Sequence, residues 1–133
     1  MNKDQIKLKI HRLVNQYNAG NYTHVIKESG ILLKKMPTNF FLMNLIGSSF
    51  QRIGQLEKAK KIFEDIVALD RSNTAALNNL GNTYKSLKDF DSAEKAYKQA
   101  LEIEPNFANC IQNFANLKFD LNNYDEAIKL YKK

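Results

Sequence analysis

Apolar residues recur at intervals of three and four along most of the chain. In 74–87, Leu77, Leu80, Tyr84 and Leu87 share one side of a helix, the period of an amphipathic α-helix and not of a strand. Beyond Lys88 and Asp89, the residues Phe90, Ala93, Ala96, Tyr97, Ala100, Leu101 and Ile103 form a broader stripe, which predicts a second helix. Asp89 is suited to cap it, and Asp91 favours its positive end. Pro105 ends it, because the residue before a proline is pushed out of helical geometry. Asn106 is then placed to cap the next helix.

The pattern returns every 34 residues. Gly47 and Gly81 keep that interval, as do Phe50 and Tyr84. Ala59, Ala93 and Ala127 step by it twice, as do Phe63, Tyr97 and Tyr131, while Pro37 and Pro105 stand two steps apart. Agreement of this many columns marks an internal repeat of helix pairs. Glycine at 47 and 81 lets another helix approach the apolar face closely.

The run Leu77-x2-Leu80-Gly81-x2-Tyr84, followed by Ala93-x3-Tyr97, Ala100 and Pro105, resembles the signature of the tetratricopeptide repeat family, with Leu77 where that family often has Trp. Met43, Ile46, Gly47, Phe50, Ala59, Phe63 and Ile66 repeat it, with Arg71 in place of the proline. Ile111, Phe114, Ala115, Ala127 and Tyr131 repeat it again, with Lys118 in place of an aromatic residue. The resemblance implies an all-α fold, a right-handed superhelical solenoid of antiparallel helix pairs. It implies one domain over 1–133 with about three and a half repeats: a divergent 6–39, then 40–73, 74–107 and a truncated 108–133.

In the first repeat a strict 34-residue frame places Lys9, Arg12 and Gln16 in the buried columns. Sliding the first helix by one residue fills those columns with Ile10, Leu13, Val14 and Tyr17 instead. This predicts a turn around Ala19-Gly20-Asn21 one residue shorter than its counterparts. The second helix carries Ser29-Gly30 where an aromatic residue is expected. A helix-interior glycine costs about 1 kcal/mol relative to alanine, so this should be the loosest internal helix. The chain stops at Lys133 partway along a helix, which suggests the N-terminal piece of a longer protein. Ala127, Ile128 and Tyr131 are expected to pack back on Phe114, Leu117 and Leu121. The end left bare is expected to promote self-association.

Composition changes this picture little. The 133 residues are 44% hydrophobic and 26% charged, which excludes wholesale disorder. No apolar run is long enough to span a membrane, and the start lacks the apolar core of a signal peptide. One cysteine precludes an internal disulfide, and a reducing, cytoplasmic setting is expected. The net charge of +6 is concentrated at one end: residues 1–39 hold seven Lys and Arg against two Asp and Glu. That excess is mostly lysine and reads as a solvated face, so nucleic acid is disfavoured.

No catalytic set emerges, and neither a cofactor nor a metal is expected. His11 and His24 lack partners at ligand spacing, and neither GxxxxGK nor GxGxxG occurs. Cys110 at a helix start reads as a small packed residue, since no base accompanies it. The informative excess is sixteen asparagines. Carboxamides are poor helix formers, so propensity does not explain them. Some suit turns (Asn21, Asn122, Asn123) or caps (Asn39, Asn73, Asn106). Seven others fall in columns: Asn15, Ser48, Asn82, Asn116; then His11, Asn44, Asn78, Gln112; then Arg12, Leu45, Asn79, Asn113; Asn109 adds one more amide.

In the family, first helices line the concave wall, so the resemblance puts these amides there. Each carries a donor and an acceptor and can bond both groups of an extended main chain. The candidate peptide-binding residues are Asn15, Asn44, Asn78, Asn79, Asn82, Asn109, Gln112, Asn113 and Asn116. The ladder is similar to the asparagine-lined tetratricopeptide part of O-linked N-acetylglucosamine transferase. The competing reading is compositional, a chain rich in Asn and Lys. A clamp for acidic chaperone tails is disfavoured, because the middle repeats offer no inner lysines. The expected function is therefore a non-catalytic protein- or peptide-binding scaffold using its concave face. The alternative is the N-terminal substrate-recognition arm of a larger enzyme, such as a glycosyltransferase or sulfotransferase.

Overall fold

A computed structural model describes residues 2–121 and 124–132. Among them are eight helices and no strand: α1 (Lys3–Asn18), α2 (Tyr22–Lys35), α3 (Phe40–Arg52), α4 (Leu56–Leu69), α5 (Thr74–Ser86), α6 (Phe90–Ile103), α7 (Ala108–Asp120) and α8 (Tyr124–Tyr131). They fall into two compact units, Met1–Ile62 and Phe63–Lys133, divided within α4. The all-α fold of paired helices expected from the repeat is the one observed.

In the second unit, α5 and α6 run antiparallel. Thr74 at the start of α5 donates its hydroxyl to Glu104, just past the end of α6, at 2.7 Å. Their shared core of Leu77, Ala93, Tyr97 and Ala100 continues into Cys110, Phe114 and Leu117 of α7. Gly81 permits the closest approach. A Cβ there would lie 2.5 Å from the Tyr97 ring, and that ring is fully buried. Lys118 stands in the column of Tyr84. It donates to Glu94 on α6 and, at 2.8 Å, to Glu126 on α8, while its ammonium lies 5.5 Å from the Phe114 ring centre. Burial pulls the Lys118 pKa down, but the hydrogen bonds to Glu126 and Glu94 together with the charges of those carboxylates leave it raised. The hydrogen bond from Lys118 in turn holds the Glu94 carboxyl below its usual range. One repeat earlier Tyr84 also reaches the preceding helix, but one turn further along it, donating to Glu64 of α4 at 2.9 Å. Burial, and then that bond, push its phenol up to about 12.

Local chemistry sets the helix ends. Asn39 and Asn73 accept from the backbone N–H of Leu42 and Ala76 at 3.0 Å, and Asp89 accepts from Ser92 at 3.3 Å. Asn106 does not cap α7. The residue one repeat after Asn73 is Phe107, and it holds the cap position with no side-chain bond. The turns carry a left-handed residue at Gly20, Gly54 and Lys88, with φ of 86°, 81° and 68°, again one repeat apart. Glycine adopts this conformation without steric cost, whereas Lys88 must bear it with a side chain.

These turns correct the sliding frame of the first unit. The N–H groups of Asn21, Gln55 and Asp89 bond the carbonyls of Gln16, Phe50 and Tyr84, so all three turns have the same length and register. Leu13 and Ser29 therefore occupy the columns of Gly81 and Tyr97, and both are buried. The bulk has moved from the second helix to the first. This is how α1 buries Leu13, with Ile10 and Tyr17 partly covered, among Val25, Leu32, Leu42 and Leu45 without a shift in register. The Ser29 hydroxyl has no hydrogen-bond partner among the described residues. Lys9, Arg12 and Gln16 stay in the strict columns and are not buried.

In α8, Ala127 packs inward and is fully buried, but Ile128 and Tyr131 are 50% and 44% exposed. Of the three residues expected to pack back, Ala127 does so fully, Tyr131 reaches α7 through its hydroxyl, which donates to Asn116, and Ile128 is the one left half exposed. Asn122 and Asn123 lie outside the described residues.

Replacing Gly81 by Ala should destabilise the protein by about 1–3 kcal/mol, the usual overpacking cost, despite the better helix propensity of alanine. In a Tyr97→Leu background the same change should cost little. Urea unfolding of the four proteins measures the coupling; equal costs in both backgrounds would show that the ring is not the obstacle.

Candidate functional site

The amides expected to form a ladder lie mostly on α5 and α7 of the second unit. Asn113 on α7 donates to Asn78 on α5 at 3.1 Å, and Asn78 is only 7% exposed. Asn78 is thus an internal bridge between first helices, in contrast to the exposed position expected for it. A Lys85–Asp120 ion pair at 2.9 Å ties the same two helices near their C-terminal ends.

The next column has a second structural duty. Asn82 accepts from the Tyr97 hydroxyl at 2.5 Å, and Asn116 accepts from the Tyr131 hydroxyl at 2.6 Å. Both members of this pair advance by one repeat, so one device is built twice. The signal was present in the sequence: in the repeat with Phe63, which has no hydroxyl, the amide column holds Ser48. Burial raises the Tyr97 phenol well above the usual tyrosine range. Each of these amides accepts at Oδ1, and the tyrosine bond leaves its Nδ2 donors uncommitted.

The remaining candidates differ in exposure. Asn109 and Gln112 are exposed on α7, and Gln112 also donates to Asn116 at 3.1 Å. Asn113 and Asn79 are half-buried beside them. In the first unit Asn44 is half-buried and Asn15 is exposed. The turn register puts Val14, not Asn15, in the column of Ser48, Asn82 and Asn116.

Other chemistry is sparse. Cys110 is fully buried and its Sγ donates to the Tyr97 carbonyl at 3.6 Å. Burial, and then Glu104, push its thiol up to about 12, which opposes thiolate formation. Among the described residues there is no cluster of three or more His, Cys, Asp or Glu that could hold a metal ion, and no helix is long and apolar enough to cross a membrane.

The tyrosine bonds change what an amide deletion should do. Asn82→Ala leaves a buried hydroxyl unpaired and should cost about 1–3 kcal/mol, whereas Tyr97→Phe should cost about 0.5–1.5 kcal/mol. The double variant should cost clearly less than the sum, as measured by chemical denaturation; strict additivity would mean that the pair does not interact.

Sequence models described as tetratricopeptide repeat match residues 42–73, 74–107 and 96–129. No curated protein matches the chain. Among solved structures, it is similar to a thermophilic TPR protein of Thermus thermophilus, at 20% identity and a TM-score of 0.84, covering 90% of this chain and 67% of that one. MamA of Desulfovibrio magneticus RS-1 gives 18% identity and 0.80, covering 93% and 70%. The first TPR of Spaghetti, bound to the HSP90 peptide SRMEEVD, gives 22% and 0.79, covering 91% and 96%. The repeat columns, the paired helices and these matches agree: the chain belongs to the tetratricopeptide repeat family.

Proposed function

We propose that the chain is a non-catalytic interaction scaffold that holds an extended peptide by its main chain against the α5–α7 amide face, the inner, concave face of the family's solenoid. The observation that carries this reading is the exposure of Asn109 and Gln112 beside Asn113 and Asn79. Exposed carboxamides on adjacent helix turns can serve both a peptide N–H and a peptide C=O without any change to the core. The Nδ2 groups of Asn82 and Asn116 supply further donors on the same helices. A structural neighbour that holds a bound peptide supports the same use of the fold. A reduced, cytoplasmic setting fits a chain whose one cysteine is a buried free thiol.

A binder selected from random extended peptides tests this. Joint replacement of Asn109 and Gln112 by Ala should weaken it by about 0.5–1.5 kcal/mol for each backbone hydrogen bond lost. The melting temperature should stay unchanged, because both side chains are exposed. Undiminished affinity would remove the amide face from the function.

Contact between copies is a second expected use of the surface, because Ile128 and Phe119 stand exposed on α8 and α7. Sedimentation over a dilution series of about a hundredfold should show a falling average mass in the parent and not in Ile128→Glu. A constant monomer mass in the parent would overturn it.

A further inference from the structure

The first unit carries eleven Lys and Arg against three Asp and Glu, a balance of +8, whereas the second has nine against eleven. This charge has a focus. Between α1 and α2 lies a cleft of about 350 Å³ with Leu13 on its floor and Lys9, Arg12 and His24 around it. Asn15 and Gln16 add amides, and Glu28 is its one acidic wall. Lys9 and Arg12 form no ion pair among the described residues.

Repeat register explains why this cleft differs from its counterpart. Lys9, Arg12 and Gln16 stand in the columns of Leu77, Leu80 and Tyr84. In the second unit Leu80 lines a groove with Val67 and Ala68, on the helix before it, and is itself buried. The same face in the first unit is cationic and open, so its complement is an anionic, not an apolar, occupant. We propose that the α1–α2 cleft binds an acidic peptide segment, with a carboxylate on Arg12 and Lys9 and a neighbouring apolar side chain over Leu13.

Arg12 offers the planar fork that suits a carboxylate, and Asn15 can serve the adjoining main chain. The surrounding charge raises the encounter rate of an acidic segment and makes it sensitive to salt. Nucleic acid is the lesser fit: the unit has nine lysines and two arginines, and no Phe, Tyr or Trp lines the cleft for a base to stack on. This site is separate from the amide face of α5 and α7.

Fluorescence anisotropy on the full chain decides the matter, with labelled GSDLELDSG, its amide counterpart GSNLQLNSG and oligothymidylate as probes. The acidic peptide is expected to bind at least about tenfold more tightly than the amide one. Lys9→Gln with Arg12→Gln should weaken it by about tenfold. Lys34→Gln with Lys35→Gln removes the same charge at the far end of α2 and should cost about twofold or less. Glu28→Gln should tighten binding. The Asn109→Ala, Gln112→Ala protein should bind this probe like the parent, which separates the cleft from the amide face. Three results would overturn the proposal: no binding of the acidic peptide, equal losses from the two lysine-containing pairs, or an oligothymidylate that binds more tightly and displaces the peptide.

Discussion

The structure depends on one steric agreement: a residue without bulk on the first helix faces a large ring on the second. Gly81 against Tyr97 is the sharpest case, since the ring fills the space a methyl group would need. Helix pairs can close this tightly only if the two columns are chosen together. The core, the reach of the tyrosine hydroxyl toward Asn82 and the approach of α7 all follow from that distance. In the first unit the same requirement is met with the sizes reversed, Leu13 on the first helix and Ser29 on the second. What matters is the combined volume of the two columns, in keeping with the near-crystalline density of protein interiors.

The fold was legible in the sequence because its information is repeated. Each apolar column of α5 and α6 has an echo 34 residues away, so a chance residue in one repeat is outvoted by the others. The register of α1 was harder to read. A pattern argument assumes that core columns must be apolar, and so it slides Lys9, Arg12 and Gln16 away. The turn bonds show that the backbone keeps its register and that the side chains adapt. Asn106 misled for a smaller reason: the cap column passes through Phe107, one residue later.

The amide face was half legible. Composition pointed to asparagine, and the helical period placed Asn78, Asn82, Asn113 and Asn116 on α5 and α7. It did not tell which were committed inside the protein. Asn78 and Asn82 are held by partners 35 and 15 residues away, and such pairings need three-dimensional positions. Comparing columns narrows the gap, because the amide accompanies tyrosine and not phenylalanine. The structural and binding readings then meet in the same side chains: an amide fixed by a tyrosine is held in one orientation, which lowers the entropic cost of offering its remaining donors to a ligand.

The lysine shared by three helices gives the second unit a sequence of opening. With only eight residues, α8 cannot hold helical structure by itself, so it stays folded through its anchorage on α7. Buried Ala127, the Lys118–Glu126 bond and the Tyr131–Asn116 bond are what it must give up to detach. Lys118 then keeps Glu94, so its charge is not stranded when α8 leaves. Release of the last helix is thereby uncoupled from loss of the α5–α7 core. The two events belong to different cooperative blocks, with the terminal one exchanging its amide hydrogens first.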